Sequence, residues 1–194
     1  MQRKLRLQMM RIPPRMAEAT LENYIPACRD SETALAVIKR YANNHEDNFK
    51  HGRCLVMFGN CGTGKTHLAI ALLKAIMHDH KTESRYSTAA GICREVKETF
   101  GSADGRSEQE VIRDYARHPF LVIDEVGAQY GTATELVILE SVIMRRYDEY
   151  KPTILISNTD EVGLKAYIGE RSMDRLYENG GMFIPFTWES KRRR

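Results

Sequence analysis

The sequence predicts an α/β fold in which a parallel sheet carries helices on both faces. Short apolar runs recur along the 194 residues and end at a glycine or a polar residue, the pattern of strands buried on both sides. Stretches with apolar residues three and four positions apart alternate with those runs, the order that builds strand–helix–strand crossovers. At 42% hydrophobic, with one Trp, the chain suffices for the core of one ordinary domain.

The chain begins "MQRKLRLQMMRIPPRM", with five basic residues and no acid over residues 1–16. Pro13 and Pro14 end any helix begun before them, so this stretch reads as a basic linker or short helix, and the domain is expected over 17–194. "DSETALAVIKRYANN" is a helix that Asp30 or Ser31 would cap, with Ala34, Leu35, Ile38 and Tyr41 at helical spacing. "CLVMF", Cys54–Phe58, is a buried strand that stops at Gly59. "KTHLAIALLKAIMHDH" follows, with Leu68, Leu72, Ala75 and Ile76 on one helical face. A short strand at "SRYST" and a helix through "ICREVKETF" come next. "FLVID" (Phe120–Asp124) and "TILIS" (Thr153–Ser157) are further strands, and "TELVILESVIMRRYDEY" between them is a helix. "MFIPF", Met182–Phe186, is the fifth strand. Pro185 lacks an N–H and so puts it at a sheet edge.

Composition removes several function classes. No apolar run approaches the roughly 18 residues of a membrane span, and the basic N-terminus leads into no apolar signal core. Cys28, Cys54, Cys61 and Cys93 have no CxxC spacing, which argues against disulfides and zinc and for a reduced, cytoplasmic protein. The net charge is +3, but the first 16 residues and the tail Lys191–Arg194 hold nine basic residues. The remaining body has 20 basic against 26 acidic residues. Basic ends on an acidic body suit contact with phosphate backbones or an acidic partner, and equally a role in solubility.

The chemistry begins at "GNCGTGKTH", Gly59–His67. Gly59, Gly64, Lys65 and Thr66 satisfy GxxxxGK[ST], with an apolar strand entering and an amphipathic helix leaving. Glycines let successive N–H groups point inward as an anion nest, and the helix adds its positive N-terminal end. Asn60, Cys61, Gly62, Thr63, Gly64, Lys65, Thr66 and His67 are therefore expected to bind nucleotide. Lys65 would reach the β- and γ-phosphates, and the Thr66 hydroxyl would ligate Mg²⁺. "FLVIDE" supplies the acidic half of the site: Asp124 to hold Mg²⁺ through water, and Glu125 to polarise the attacking water. An acid pair here favours ATP hydrolysis over transfer to a small molecule, and no NKxD motif for guanine is present. Asn158, after "LIS", is placed to orient the lytic water, although Asn after a strand is also a common turn former.

These elements, with "GERSMDRL" (Gly169–Leu176) and "FTWESKRRR", resemble the AAA+ ATPase core of the DnaC-type bacterial and phage helicase loaders and of the related IstB-type transposition helpers. "IPPRM" and "TLENYIP" look like that family's lead-in, so the resemblance covers roughly residues 12–194. It implies a P-loop AAA+ five-stranded parallel sheet, with no C-terminal lid because only eight residues follow Phe186. By the family's pattern Arg175 is an arginine finger acting on a neighbouring subunit, which implies a homo-oligomer with ATP between subunits. Pairing with Glu178 or Asp174 on its own helix is the plain alternative. Arg192 matches the second-sensor arginine, in a register that Lys191 or Arg193 could also fill. Lys97, Phe100 and Thr132 match positions turned toward single-stranded DNA, where Phe100 would stack on a base. A core position at the helix end is the alternative for Phe100.

The resemblance implies a loader of a replicative DNA helicase of the DnaB type onto single-stranded DNA, using ATP and Mg²⁺. A transposition helper on duplex DNA, a P-loop small-molecule kinase and a nucleotide-bound structural module stand as alternatives. Loaders of this type usually carry an N-terminal helicase-gripping domain, whereas fewer than 25 residues precede the core here. Either such a domain has been removed or "QRKLRLQMM" does the gripping as a short amphipathic helix.

Overall fold

The computed structural model of the protein describes residues 8–79, 84–101, 105–128 and 132–190. The five expected strands form one sheet: β1 Leu55–Gly59, β2 Arg85–Thr88, β3 Leu121–Val126, β4 Thr153–Ser157 and β5 Met182–Phe186. Their order is β2–β3–β4–β1–β5, and every pairing is parallel. Pro185 lies exposed on the edge strand β5, as its missing N–H requires. The helices are α1 Arg29–Asn43, α2 His45–Lys50, α3 Lys65–Asp79, α4 Ala89–Lys97, α5 Glu108–Arg117, α6 Ala133–Asp148, α7 Glu161–Ile168 and α8 Glu170–Tyr177.

Strand residues alternate between two cores. Leu55, Met57, Val122, Ile154 and Ile156 face a core shared with α1 and α3. Val56, Phe58, Leu121, Ile123 and Leu155 face a second core closed by α4, α5, α6, α7 and α8. Both sheet faces are thus covered, which is why the strands read as unbroken apolar runs. There is no lid domain among the described residues. None of the described helices is long and apolar enough to cross a membrane. Cys28, Cys54, Cys61 and Cys93 are all free thiols.

Two expectations change. Cys28, not Asp30 or Ser31, is the cap of α1; Ser31 sits in the first turn and accepts from the N–H groups of Ala27 and Cys28 at 2.7 and 2.9 Å. Ala75 is exposed, while Ile70 and Leu73 are fully buried, because α3 is enclosed by sheet, α1 and the lead-in rather than along one stripe. The lead-in also packs as part of the domain. Met10 and Ile12 are buried, the Tyr86 N–H donates to the Met10 carbonyl at 2.9 Å, and Lys74 Nζ donates to the carbonyls of Ala17 and Ala19.

One buried cation ties the sheet to its cover. Arg146 of α6 is fully buried, and its guanidinium donates to the carbonyls of Ala116 (3.1 Å), His118 (2.7 Å) and Pro152 and to Thr153 Oγ1 (3.0 Å). It joins the C-terminal end of α5 to the start of β4, where a helix's partial negative charge favours a cation. Burial pushes its pKa down to about 10, still charged at neutral pH. Arg146→Met keeps the bulk and strands these acceptors, each costing about 1–3 kcal/mol when buried unpaired. A large fall in the urea midpoint at unchanged m-value is expected; an unmoved midpoint would contradict this account.

Candidate functional site

The glycine loop between β1 and α3 has the geometry that its sequence requires. Gly59 has φ 118°, and a Cβ there would stand 2.6 Å from the Phe186 carbonyl oxygen of β5. Gly64 has φ 100°, with Tyr24 Cε2 at 2.5 Å from the same test position. Both positions need left-handed backbone and leave no room for a side chain. The loop is fastened from outside. Asn60 N–H donates to the Phe186 carbonyl at 2.8 Å, and the Thr63 carbonyl accepts from the Tyr24 phenol (3.0 Å) and the Trp188 indole (3.3 Å).

The loop forms one wall of a cleft of about 560 Å³, and Asp124, Glu125 and Asn158 reach it from the strand ends. Of the run expected to bind nucleotide, Cys61 to His67 line this cleft. Asn60 does not, because its amide turns to the carbonyl of Thr187 at 2.7 Å. His67 also has a ring nitrogen 3.0 Å from the Thr20 carbonyl and so helps to seat the lead-in. Lys65 is buried with its ammonium folded onto the carbonyls of Gly59 (2.8 Å) and Asn60 (2.6 Å). Burial pushes its pKa down to about 8, a cost that bound phosphates would offset.

The acidic half is built around Asp124, which is 2% exposed. Its Oδ2 accepts from the Thr66 hydroxyl at 2.8 Å and the Tyr86 phenol at 2.9 Å, and its Oδ1 accepts from the Glu125 N–H at 2.7 Å. Burial, then the nearby carboxylate, pushes the Tyr86 pKa well up, so the phenol stays a donor. Glu125 has φ 60° within a register irregularity between Ile123 and Val126. A non-glycine residue in this region is costly, and a sheet irregularity re-aims the side chain. Here it leaves Glu125 exposed in the cleft beside a buried Asp124. The donors fit Mg²⁺: hydroxyl and carboxylate oxygens held together at hydrogen-bond distance. Among the described residues no group of three or more His, Cys, Asp or Glu side chains could hold a metal ion.

The opposite wall was not legible from motifs. Arg15, Met16, Asn23, Tyr24 and Ile25 of the lead-in line the cleft. "TLENYIP" offers little to place it over the loop, apart from a Tyr and an exposed Ile beside a proline. Tyr86 was equally hidden, although β2–β3 pairing aligns Thr88 with Asp124 and so puts Tyr86 on the Asp124 side of the strand.

The remaining expected residues lie elsewhere. Lys97 Nζ is 2.8 Å from Glu135 Oε1, and Thr132 caps α6 through the Glu135 N–H, so Glu135 holds the two together. Phe100, just beyond α4, is 54% exposed and therefore not a core residue. Arg175 is not among the residues lining the cleft of its own chain. It donates to Glu178, three residues on, and its guanidinium lies 4.7 Å from the Tyr147 ring centroid. Arg192 lies outside the described residues.

A parallel sheet in this order, with a phosphate loop after the interior strand β1 and an acid pair two strands away on β3, defines a P-loop nucleotide-binding domain. The sequence matches the IstB-like ATP binding protein family over residues 3–175. It is 31% identical to the replicative helicase loader DnaC of Escherichia coli K12 over 183 residues, covering 94% of this chain and 73% of that protein. It is 34% identical over 134 residues to an uncharacterised protein, YdaV, of the same strain, covering 69% of this chain and 53% of that one. Among solved structures, the DnaC helicase loader superposes with TM-score 0.78 at 24% identity over 89% of this chain and 99% of that one. DnaI superposes with TM-score 0.73 at 20% identity over 91% and 95%. The chain belongs to the DnaC/IstB-like family of AAA+ ATPases.

Proposed function

We propose that this protein is an ATP-dependent loader that places a replicative DNA helicase on single-stranded DNA during replication initiation, hydrolysing ATP where subunits meet. One observation carries the reading: an intact loop and acid pair in a chain 31% identical to the helicase loader DnaC over 94% of its length. ATP would lie with its phosphates on the N–H groups of residues 61–66 and its base toward Met16, Tyr24 and Ile25. Lys65 would exchange its two loop carbonyls for phosphate oxygens. Thr66 and Asp124 would hold Mg²⁺, which neutralises charge on the β- and γ-phosphates. Glu125 takes a proton from the attacking water, Asn158 orients that water, and ADP and phosphate leave.

DNA would be gripped along the edge where Lys97, Thr132 and Phe100 meet. Phe100 is more than half exposed there, and base stacking is worth about 1–3 kcal/mol per base. ATP would stabilise the assembled state and hydrolysis would release it, with Arg175 and Arg192 reading the phosphates. The test is fluorescence anisotropy with single-stranded and duplex oligonucleotides, each in ATP and in ADP. ATP-dependent preference for single strands is expected, with affinity falling steeply as salt rises because phosphate contacts release counterions. The match to the IstB-like family supports a second reading, a transposition helper, and duplex preference would select it. Binding to neither would defeat both.

A further inference from the structure

Asp124 is fixed by donors from three directions, and they are not equivalent. The Glu125 N–H holds Oδ1 from the same strand. Thr66 holds Oδ2 from α3, but in the reading above its hydroxyl must turn to Mg²⁺ when nucleotide binds. Tyr86 holds the same Oδ2 from β2, and nothing in that reading asks it to leave. Of the two described side-chain donors to Asp124, it is therefore the one that stays through the cycle. Its own placement is rigid. Tyr86 is 6% exposed, paired with Val122 across β2–β3, and its N–H is bonded to Met10 of the lead-in.

Resting on the ATP-site reading, we propose that Tyr86 is a positioning residue: its hydroxyl holds the Asp124 carboxylate in the orientation that receives Mg²⁺–nucleotide. Partners of a metal-holding carboxylate act by orienting it, and their loss typically weakens metal affinity or activity about 10–100-fold. The competing account is that a buried phenol merely needs an acceptor. Packing alone would be served by Phe, so Tyr86→Phe separates the two, removing one oxygen and leaving the ring in place.

The experiment titrates Mg²⁺ into the full chain with a fluorescent ATP analogue, and repeats the binding in EDTA. Tyr86→Phe is expected to raise the Mg²⁺ midpoint about tenfold or more, with EDTA binding and the urea midpoint little changed. In nucleotide affinity at fixed Mg²⁺, Tyr86→Phe and Asp124→Asn should be strongly non-additive, since one acts through the other. An unmoved midpoint overturns the proposal, as does equal weakening with and without Mg²⁺ or simple additivity. If the parent protein itself binds nucleotide without regard to Mg²⁺, the ATP-site reading falls first, so the two failures are told apart.

Discussion

Glu125→Gln is expected to lower ATP turnover by about 10²–10⁴-fold, the usual worth of a positioned general base, while ATP binding survives. Gln keeps the length and shape of the side chain and removes only the ability to accept the water's proton. The main-chain bond from residue 125 to Asp124 is unaffected, so the Mg²⁺ position should stand. The strain at φ 60° is shared by both side chains and cancels from the comparison. Evolution could have relieved that strain with Gly, yet an acid stands there, in the cleft, and exposed. The variant should therefore accumulate in its ATP state and hold single-stranded DNA longer than the parent. Turnover near the parental rate would strip Glu125 of its role, and lost ATP binding would mean that the residue shapes the cleft instead.

What the sequence disclosed followed from local rules. "CLVMFGNCGTGKTH" carries strand, loop and helix start within one short window, and "FLVIDE" ends a strand in acids, so both half-sites are readable without knowing the fold. Their meeting needed β1 and β3 at the right separation, which parallel crossovers impose. The opposite wall depended on tertiary packing. Tyr24 covers Gly64 only because Lys74, His67 and the Met10 bond to β2 lay the lead-in along α3. α5 lies outside the expected elements, although Ser107 and Glu110 form a capping box and Val111, Ile112 and Tyr115 share a face. Ala75 was misplaced because a helix enclosed on several sides has no single apolar stripe. Arg146 falls on the buried face of α6 with Leu139, Val142 and Ile143, but a charged residue there reads as the end of the apolar stripe. A buried guanidinium is recognisable only once its carbonyl acceptors have been assembled around it.

Arg175→Ala is expected to reduce turnover by about 10³-fold or more, the range reported by arginine fingers, without disturbing nucleotide binding in its own cleft. In one chain the guanidinium rests against Glu178 and the Tyr147 ring, with its side chain about one-third exposed. Such a solvent-screened pair is weak, so a neighbour's phosphates would readily displace it. A purely structural role makes a different forecast: Glu178→Gln would then lower activity as much as Arg175→Ala, and both would lower the urea midpoint. The finger role predicts full activity for Glu178→Gln. Mixing decides the matter. Lys65→Ala removes a subunit's own phosphate grip but leaves its Arg175, while Arg175→Ala does the reverse. In an equal mixture of head-to-tail assemblies, roughly a quarter of interfaces would pair an intact cleft with an intact arginine, and turnover should return from two inactive stocks. If the finger acts across subunits, the parent's specific activity should also rise with protein concentration, because no subunit would then complete its site alone. Recovery on mixing is possible only if the arginine works across the interface; inactive mixtures would return Arg175 to its pairing with Glu178.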